Sequence, residues 1–338
     1  MPSIAPGHFA AAAAIPQRGG SDAAIKLSNG KVLVLGAGHP LLYDPALNKF
    51  SGAGAMVVER RNPLVAALPG GKVLVIGGDT FAGCALTNVD DVEIYDEAAN
   101  TFSRVASPLV GDVYQAATSL ADGTVLLTGG WTIDEAHPDG FRSSALFDPS
   151  TKAFTLLGGS LQPAPGAAVA VLPDHTVLLA GGFVQSGSDY VATDAAVIYR
   201  PEHHDFVSAA QSMRWALGNA TATRLPDGRV LIAGGQRASD SDAAGYANAA
   251  ELYDYRTGQF ASTGNMVAKR SGHSATLLAG GSVLLAGAAG TSAEIWSDGT
   301  FHATAGPMTK SRSGAIAVLL GSGRVLVIGN GSADLYQP

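Results

Sequence analysis

Seven copies of one short apolar strand punctuate the chain, and this recurrence limits the possible fold more than any other feature. The copies read GKVLVLGAG from Gly30, GKVLVIGGD from Gly71, GTVLLTGGW from Gly123, HTVLLAGGF from His175, GRVLIAGGQ from Gly228, GSVLLAGAA from Gly281 and GRVLVIGNG from Gly323. Their first valines fall at 32, 73, 125, 177, 230, 283 and 325, giving steps of 41 to 53 residues. A brief branched run closed by glycines is a buried strand that ends in a tight turn of backbone. Repeated seven times at that period, it specifies the blades of a propeller.

A second signature follows each copy. It reads LYD, IYD, LFD, IYR, LYD, IW or LY, centred on Tyr43, Tyr95, Phe147, Tyr199, Tyr253, Trp296 and Tyr336. Seven residues after the first five of these stand Phe50, Phe102, Phe154, Phe206 and Phe260; Phe301 follows Trp296 after five. Each unit is therefore expected to supply four strands. Strand A leads into a turn, B is the VLV strand, C carries the aromatic-Asp pair and D starts at the Phe. The seventh unit stops after its C strand. Phe9–Ile15 (FAAAAAI) matches Phe50–Met56 (FSGAGAM), so the N-terminal strand is expected to complete the seventh blade and remove an open sheet edge. The expectation is an all-β, seven-bladed propeller of four-stranded blades, one domain over residues 1–338, in which residues 9–15 complete blade 7.

The glycine pair and the Tyr-Asp-x-x-x-x-x-x-Phe step resemble kelch repeats along essentially the whole chain. The Asp-Gly-x-Val-Leu turns look like the bacterial branch of that family, which includes the propeller domain of galactose oxidase. Composition agrees with such a core: 46% of residues are hydrophobic, 14% are charged and 43 are glycine. The net charge of -7, without a basic run, excludes a nucleic-acid backbone binder. A single cysteine, Cys84, excludes a disulfide framework and a multi-cysteine zinc site, and fits a reducing compartment. No segment approaches the roughly 18 apolar residues of a membrane span. The N-terminal alanines lack a preceding Lys or Arg and read as a strand rather than a signal peptide, so the expected location is cytoplasmic.

The resemblance implies that the D-to-A connections and B-to-C loops share one face, the upper one. Six residues before the Leu of each A–B turn stand Ser21, Asn62, Tyr114, Gly166, Asn219, Gly272 and Gly314. Two further back, with the same side-chain parity, stand Gly19, Arg60, Asp112, Ala164, Leu217, Arg270 and Arg312. The polar members are expected to line the mouth of the central channel, and Arg60, Arg270 and Arg312 to clamp a carboxylate or phosphate. The B-to-C loops of blades 2 to 5 are long and those of blades 6, 7 and 1 short. The long loops would wall one side, with Trp131, Phe183, Tyr190 and Tyr246 among the lining groups. A walled funnel with convergent polar groups suits a small polar or anionic molecule; the same loops could instead serve a protein partner.

Tyr114 is the sole aromatic at its register position. Its segment, VYQAATSLADGTVLLTGGW, is similar to the galactose oxidase stretch that carries a copper-binding, thioether-linked tyrosine, and Trp131 falls where that family has a stacking tryptophan. The resemblance ends there. Asn62 stands where the cross-linking cysteine would be, and Gly272-His273 where a Tyr-His ligand pair would be. Copper needs several nitrogen or oxygen ligands in a tetragonal array. No cofactor and no metal are therefore expected, and a copper-radical oxidase is a remote alternative. Tyr114 and His273 are the candidates for cofactor-free acid/base chemistry of isomerase, lyase or cyclase type. Arg60, Asn62, Asp112, Trp131, Asn219, Arg270 and Arg312 are the candidate ligand-binding groups. His39 and His137 belong to no metal-ligand pair, and the Asp alternation from Ser239 lacks the rest of a calcium loop.

Overall fold

A computed structural model describes residues 7–16, 22–82, 85–107, 114–132, 141–159, 161–187, 189–237 and 247–338; for 82, 85, 86, 131, 132 and 141–143 it describes the backbone alone. The fold is an all-β, seven-bladed propeller, and each blade is a four-stranded antiparallel sheet. The chain divides into two compact units, residues 13–162 and residues 1–12 with 163–338. The first holds three blades. Blade 1 is Ala23–Lys26, Val32–Leu35, Leu41–Asp44 and Lys49–Gly52. Blade 2 is Leu64–Leu68, Lys72–Ile76, Val92–Asp96 and Thr101–Val105. Blade 3 is Ala116–Ser119, Val125–Thr132, Phe141–Asp148 and Ala153–Leu156.

The second unit holds four blades. Blade 4 is Ala168–Val171, Val177–Ala180, Ala196–Arg200 and Asp205–Ser208. Blade 5 is Thr221–Arg224, Val230–Ala233, Ala250–Asp254 and Gln259–Ser262. Blade 6 is Ser274–Leu277, Val283–Ala286, Ala293–Ser297 and Thr300–Ala303. Blade 7 joins Ile316–Leu319, Val325–Gly329 and Ser332–Gln337 to the N-terminal strand His8–Ala11. In that last pairing Phe9 lies opposite Tyr336, with ring centroids 5.0 Å apart. The N-terminal strand thus supplies the missing D position, as the Phe9–Ile15 match predicts.

The seven-residue aromatic step is the geometry of one hairpin. Tyr43 faces Phe50, Tyr95 faces Phe102, Phe147 faces Phe154, Tyr199 faces Phe206 and Tyr253 faces Phe260 across the C–D ladder. The Asp after the aromatic closes the turn: Asp44 Oδ1 accepts the Ala46 and Leu47 N–H groups, and Asp96 Oδ1 those of Ala98 and Ala99. Blade 4 has Arg200 at this place, and it pairs with Asp205 across the same turn at 2.5 Å.

The B strands Val32–Leu35, Val177–Ala180, Val230–Ala233 and Val283–Ala286 are buried at every position, which is why they read as unbroken apolar runs rather than as alternation. Their closing glycines are a steric requirement. Gly234 has φ +68, and a Cβ there would lie 2.6 Å from the His273 ring and 2.7 Å from the Arg270 carbonyl oxygen. The N–H groups of Gly182, Gly235 and Ala288 donate to the Leu217, Arg270 and Arg312 carbonyls, so blades 4, 5 and 6 are each stitched to the connection entering the next.

Two of the long B-to-C segments are themselves hairpins. Asp79–Ala82 pairs with Ala85–Asn88, and Phe183–Ser186 with Asp189–Ala192. In blade 3 strand B runs on through the glycine pair, with a register shift between Leu127 and Gly130.

Candidate functional site

The three arginines expected at the channel mouth are buried instead. Arg60, Arg270 and Arg312 are 1%, 1% and 0% exposed. Each faces a buried carboxylate on the C strand of the blade it enters: Arg60–Glu93 at 2.6 Å, Arg270–Glu294 at 2.7 Å and Arg312–Asp334 at 2.7 Å. Further N–H groups go to backbone and hydroxyl acceptors. Arg60 Nη1 donates to the Gly77 and Asp91 carbonyls, and Arg270 Nη1 to those of Gly287 and Ser292. Burial pulls the Arg60 guanidinium below its usual range while Glu93 pushes it back up. The carboxylates are used on both sides, since Glu93 also accepts the Val57 and Val58 N–H groups, and Glu294 that of Val267. These side chains lie off solvent, and a buried cation needs a partner within the fold. The common register of the three arginines therefore marks a repeated buried ion pair, not an anion clamp.

The position two residues along has its own backbone reason. Asn62, Gly166, Asn219, Gly272 and Gly314 all have positive φ, at 49, 72, 54, 70 and 64°. Asn and Gly are the residues that enter this left-handed region most readily, so their recurrence follows from chain geometry. The Asn62 side chain donates to Asp79 Oδ2 at 2.7 Å, and Arg61 lies 3.5 Å from Asp79 Oδ1. Asn219 keeps an exposed side chain. Tyr114 is 8% exposed and packs in the apolar cluster of Ala66, Ile76, Val92, Leu127 and Ala145.

His273 is 6% exposed, with Nε2 3.1 Å from Thr221 Oγ1. Its Nδ1 has no hydrogen-bonding partner among the described residues. Burial, helped by the Arg270 charge, holds the ring to a pKa of about 3, so it is neutral at physiological pH. An imidazole so placed fills the space left by Gly234 and is poorly suited to exchange protons with a ligand. His39 sits in the turn before Leu41–Asp44. Asp112, Cys84, His137, Tyr246 and the segment from Ser239 lie outside the described residues, as does the Trp131 side chain.

An accessible cluster of aromatic and cationic groups lies at the loop-bearing end of blades 4 and 5. Trp215, half-buried in the connection into blade 5, has the Arg237 guanidinium 5.1 Å and the Arg214 guanidinium 5.9 Å from its ring centre. Both arginines are exposed. Phe183 lies against Gly218 so closely that a Cβ there would enter its ring. The Phe183–Ala192 hairpin is joined to this patch by the Ala192 N–H donating to the Arg237 carbonyl, and Gly218 and Gln236 exchange backbone hydrogen bonds beside it. Tyr190 and Val191 stand on the outer strand of the hairpin. Phe183, Tyr190 and Asn219 belong to the expected lining set. Trp215, Arg214 and Arg237 do not, because the first two lie outside the register count and the third follows a glycine pair where any residue type can stand. The signal available in sequence was the cation–aromatic pair Arg214-Trp215 next to a long loop.

Residues 60–109 match the Kelch motif family. None of the curated proteins matches the chain. Among solved structures, a fungal alcohol oxidase of the AA5 family in complex with copper is similar over 98% of this chain and 76% of its own, with a TM-score of 0.73 and 15% identity. YjhT is similar over 87% of this chain and 99% of its own, with a TM-score of 0.61 and 17% identity. Asn62 is turned to Asp79, His273 is sealed in the core, and no group of three His, Cys, Asp or Glu among the described residues could hold a metal ion.

Proposed function

We propose, from the premise that the chain is a kelch-type β-propeller, that it is a binding module whose partner is an acidic protein segment seated on blades 4 and 5. The observation that carries this reading is the pairing of two exposed arginines around the Trp215 ring, next to Phe183 and the Phe183–Ala192 hairpin. Aromatic and arginine groups held together on a rigid frame are the usual anchors of protein recognition. Opposite charge on the partner speeds and orients the encounter. The small-anion reading loses its support because the arginines it relies on already hold carboxylates inside the blades.

A photo-crosslinking residue at Val191, which is 37% exposed, tests the proposal in extract from the source cells. The expected result is a protein adduct that weakens at high salt and is lost from Arg214→Glu/Arg237→Glu/Trp215→Ala. An adduct unaffected by those changes, or a small molecule retained in native mass spectrometry and displaced by no protein, overturns the reading.

A further inference from the structure

Four C strands carry a buried acid at the same register position: Glu93, Glu251, Glu294 and Asp334, each 0% or 1% exposed. They lie opposite the equivalent B-strand residues Val75, Ile232, Leu285 and Val327. Each accepts a backbone N–H from the connection entering its blade, at Val57, Arg214, Val267 and Thr309. Three residues after each of those amides stand Arg60, Leu217, Arg270 and Arg312. Blades 2, 6 and 7 therefore neutralise the acid with an arginine. Blade 5 places the fully buried Leu217 there and leaves Glu251 Oε1 with no hydrogen-bonding partner among the described residues.

We propose that Glu251 is a proton-operated tether: neutral, it holds the Met213–Leu217 connection of blade 5, and ionised, with no guanidinium to receive its charge, it loosens that connection. The surroundings are sparse in charge. Arg214, on the connection itself, favours the ionised form through its N–H and its side chain, and the Trp215 N–H acts the same way; Asp194, from the loop entering strand C of blade 4, opposes ionisation. Burial outweighs them and raises the Glu251 carboxyl above its ordinary 4.5. With the folded-state pKa raised, the folded chain binds the proton more tightly than the unfolded one. The contribution to stability is therefore complete below about 4.5 and is lost as pH rises through the folded-state value. The inference stands on blade 5 alone and does not need the partner proposed above, although the connection involved is the one that displays Arg214 and Trp215.

The test compares wild type with Glu251→Gln from pH 4.5 to 8.5. Wild type should lose stability relative to the glutamine variant, by up to about tenfold in the folding equilibrium constant per pH unit between about 4.5 and the folded-state pKa, with no further loss above it. Hydrogen exchange at the amides of residues 213–217, corrected for intrinsic rate, should lose protection over the same range in wild type only. Leu217→Arg, which restores the pair of the other blades, should flatten both profiles. If that variant fails to fold, the Glu251 carboxyl resonance in carbon-13-labelled wild-type protein decides. Titration at or below 4.5 overturns the proposal, as do parallel profiles for wild type and Glu251→Gln, or a stability difference without local loss of protection.

Discussion

In blade 6 the connection into the first strand lays Arg270 on Glu294, both fully buried, with the guanidinium also bound to the Gly287 and Ser292 carbonyls. In blade 4 the same two places hold Ala164 and Val197, buried at 8% and 6% exposure. The B strands of the two blades end alike: Gly182 donates to the Leu217 carbonyl of the connection into blade 5 as Ala288 does to the Arg312 carbonyl of the connection into blade 7. A blade of this propeller thus tolerates either a salt bridge or two small apolar side chains at one structural position. The ion pair is a way of filling the place, not a condition for folding, because charge desolvation offsets most of its attraction. What the position does not tolerate at little cost is half of the pair.

The largest effect should come from creating such a half. Arg270→Ala leaves Glu294 buried without its counter-charge, and should cost about 3–5 kcal/mol in urea denaturation. Arg270→Ala/Glu294→Val copies the blade 4 pair and should recover most of that loss. A single variant that costs less than the double would break the equivalence of the two blades.

The next effect concerns the space beside the pair. Gly234→Ala puts a Cβ against the His273 ring and the Arg270 carbonyl at a positive φ. Overpacking and strain together should cost about 2–3 kcal/mol. Gly234→Ala/His273→Ala should recover the part due to the ring, while the strain at φ +68 remains. Equal melting temperatures for the two variants would show that backbone strain alone sets the cost.

His273 gives blade 6 a pH response opposite in sign to that proposed for blade 5. Its folded-state pKa, at about 3, lies below the ordinary 6.5. Between those values the unfolded chain binds the extra proton, so stability falls as pH drops from 6.5 toward 3. By pH 5 the loss is about 2 kcal/mol relative to pH 8. His273→Asn should remove this acid-side loss and leave the alkaline-side behaviour of Glu251 in place. If the variant keeps the full slope between pH 6.5 and 5, another group is responsible.

How much of this was legible in sequence follows from what each residue answers to. The aromatic step and the branched runs answer to local geometry repeated seven times, so Tyr43–Phe50 and its fellows, and the closing role of Phe9, could be read directly. The arginines share one orientation, as their alignment implies, but they face the interior rather than the channel mouth. Parity says that Arg60, Arg270 and Arg312 point the same way; it does not say whether that way is solvent or the interior. The decisive signal lay some 22 to 33 residues further on, in Glu93, Glu294 and Asp334, which vary with the arginines from blade to blade. Blade 5 breaks that covariation at Leu217–Glu251, and the break is visible only once the partners are known. Asn62 and Asn219 share a similar ambiguity, since asparagine suits both a ligand and a left-handed backbone.

The smallest effect is expected from removing the hydroxyl of Tyr114, the one aromatic at the register position that other blades give to Asn, Gly or Ser. Its ring lies in the cluster with Ala66, Ile76, Val92, Leu127 and Ala145, so the ring and the hydroxyl can be separated by substitution. Tyr114→Ala removes both and should cost about 3–5 kcal/mol, the usual range for a buried aromatic. Tyr114→Phe keeps the ring and removes at most one net hydrogen bond, so it should cost about 0.5–1.5 kcal/mol. Partner capture through Val191 should be unchanged, because the proposed surface lies on blades 4 and 5. A Tyr114→Phe protein that keeps its stability but loses capture, or loses turnover of any compound found bound, would return the hydroxyl to chemistry. Blade 3 would then join blade 5 as a place where a residue is kept for something other than filling its position.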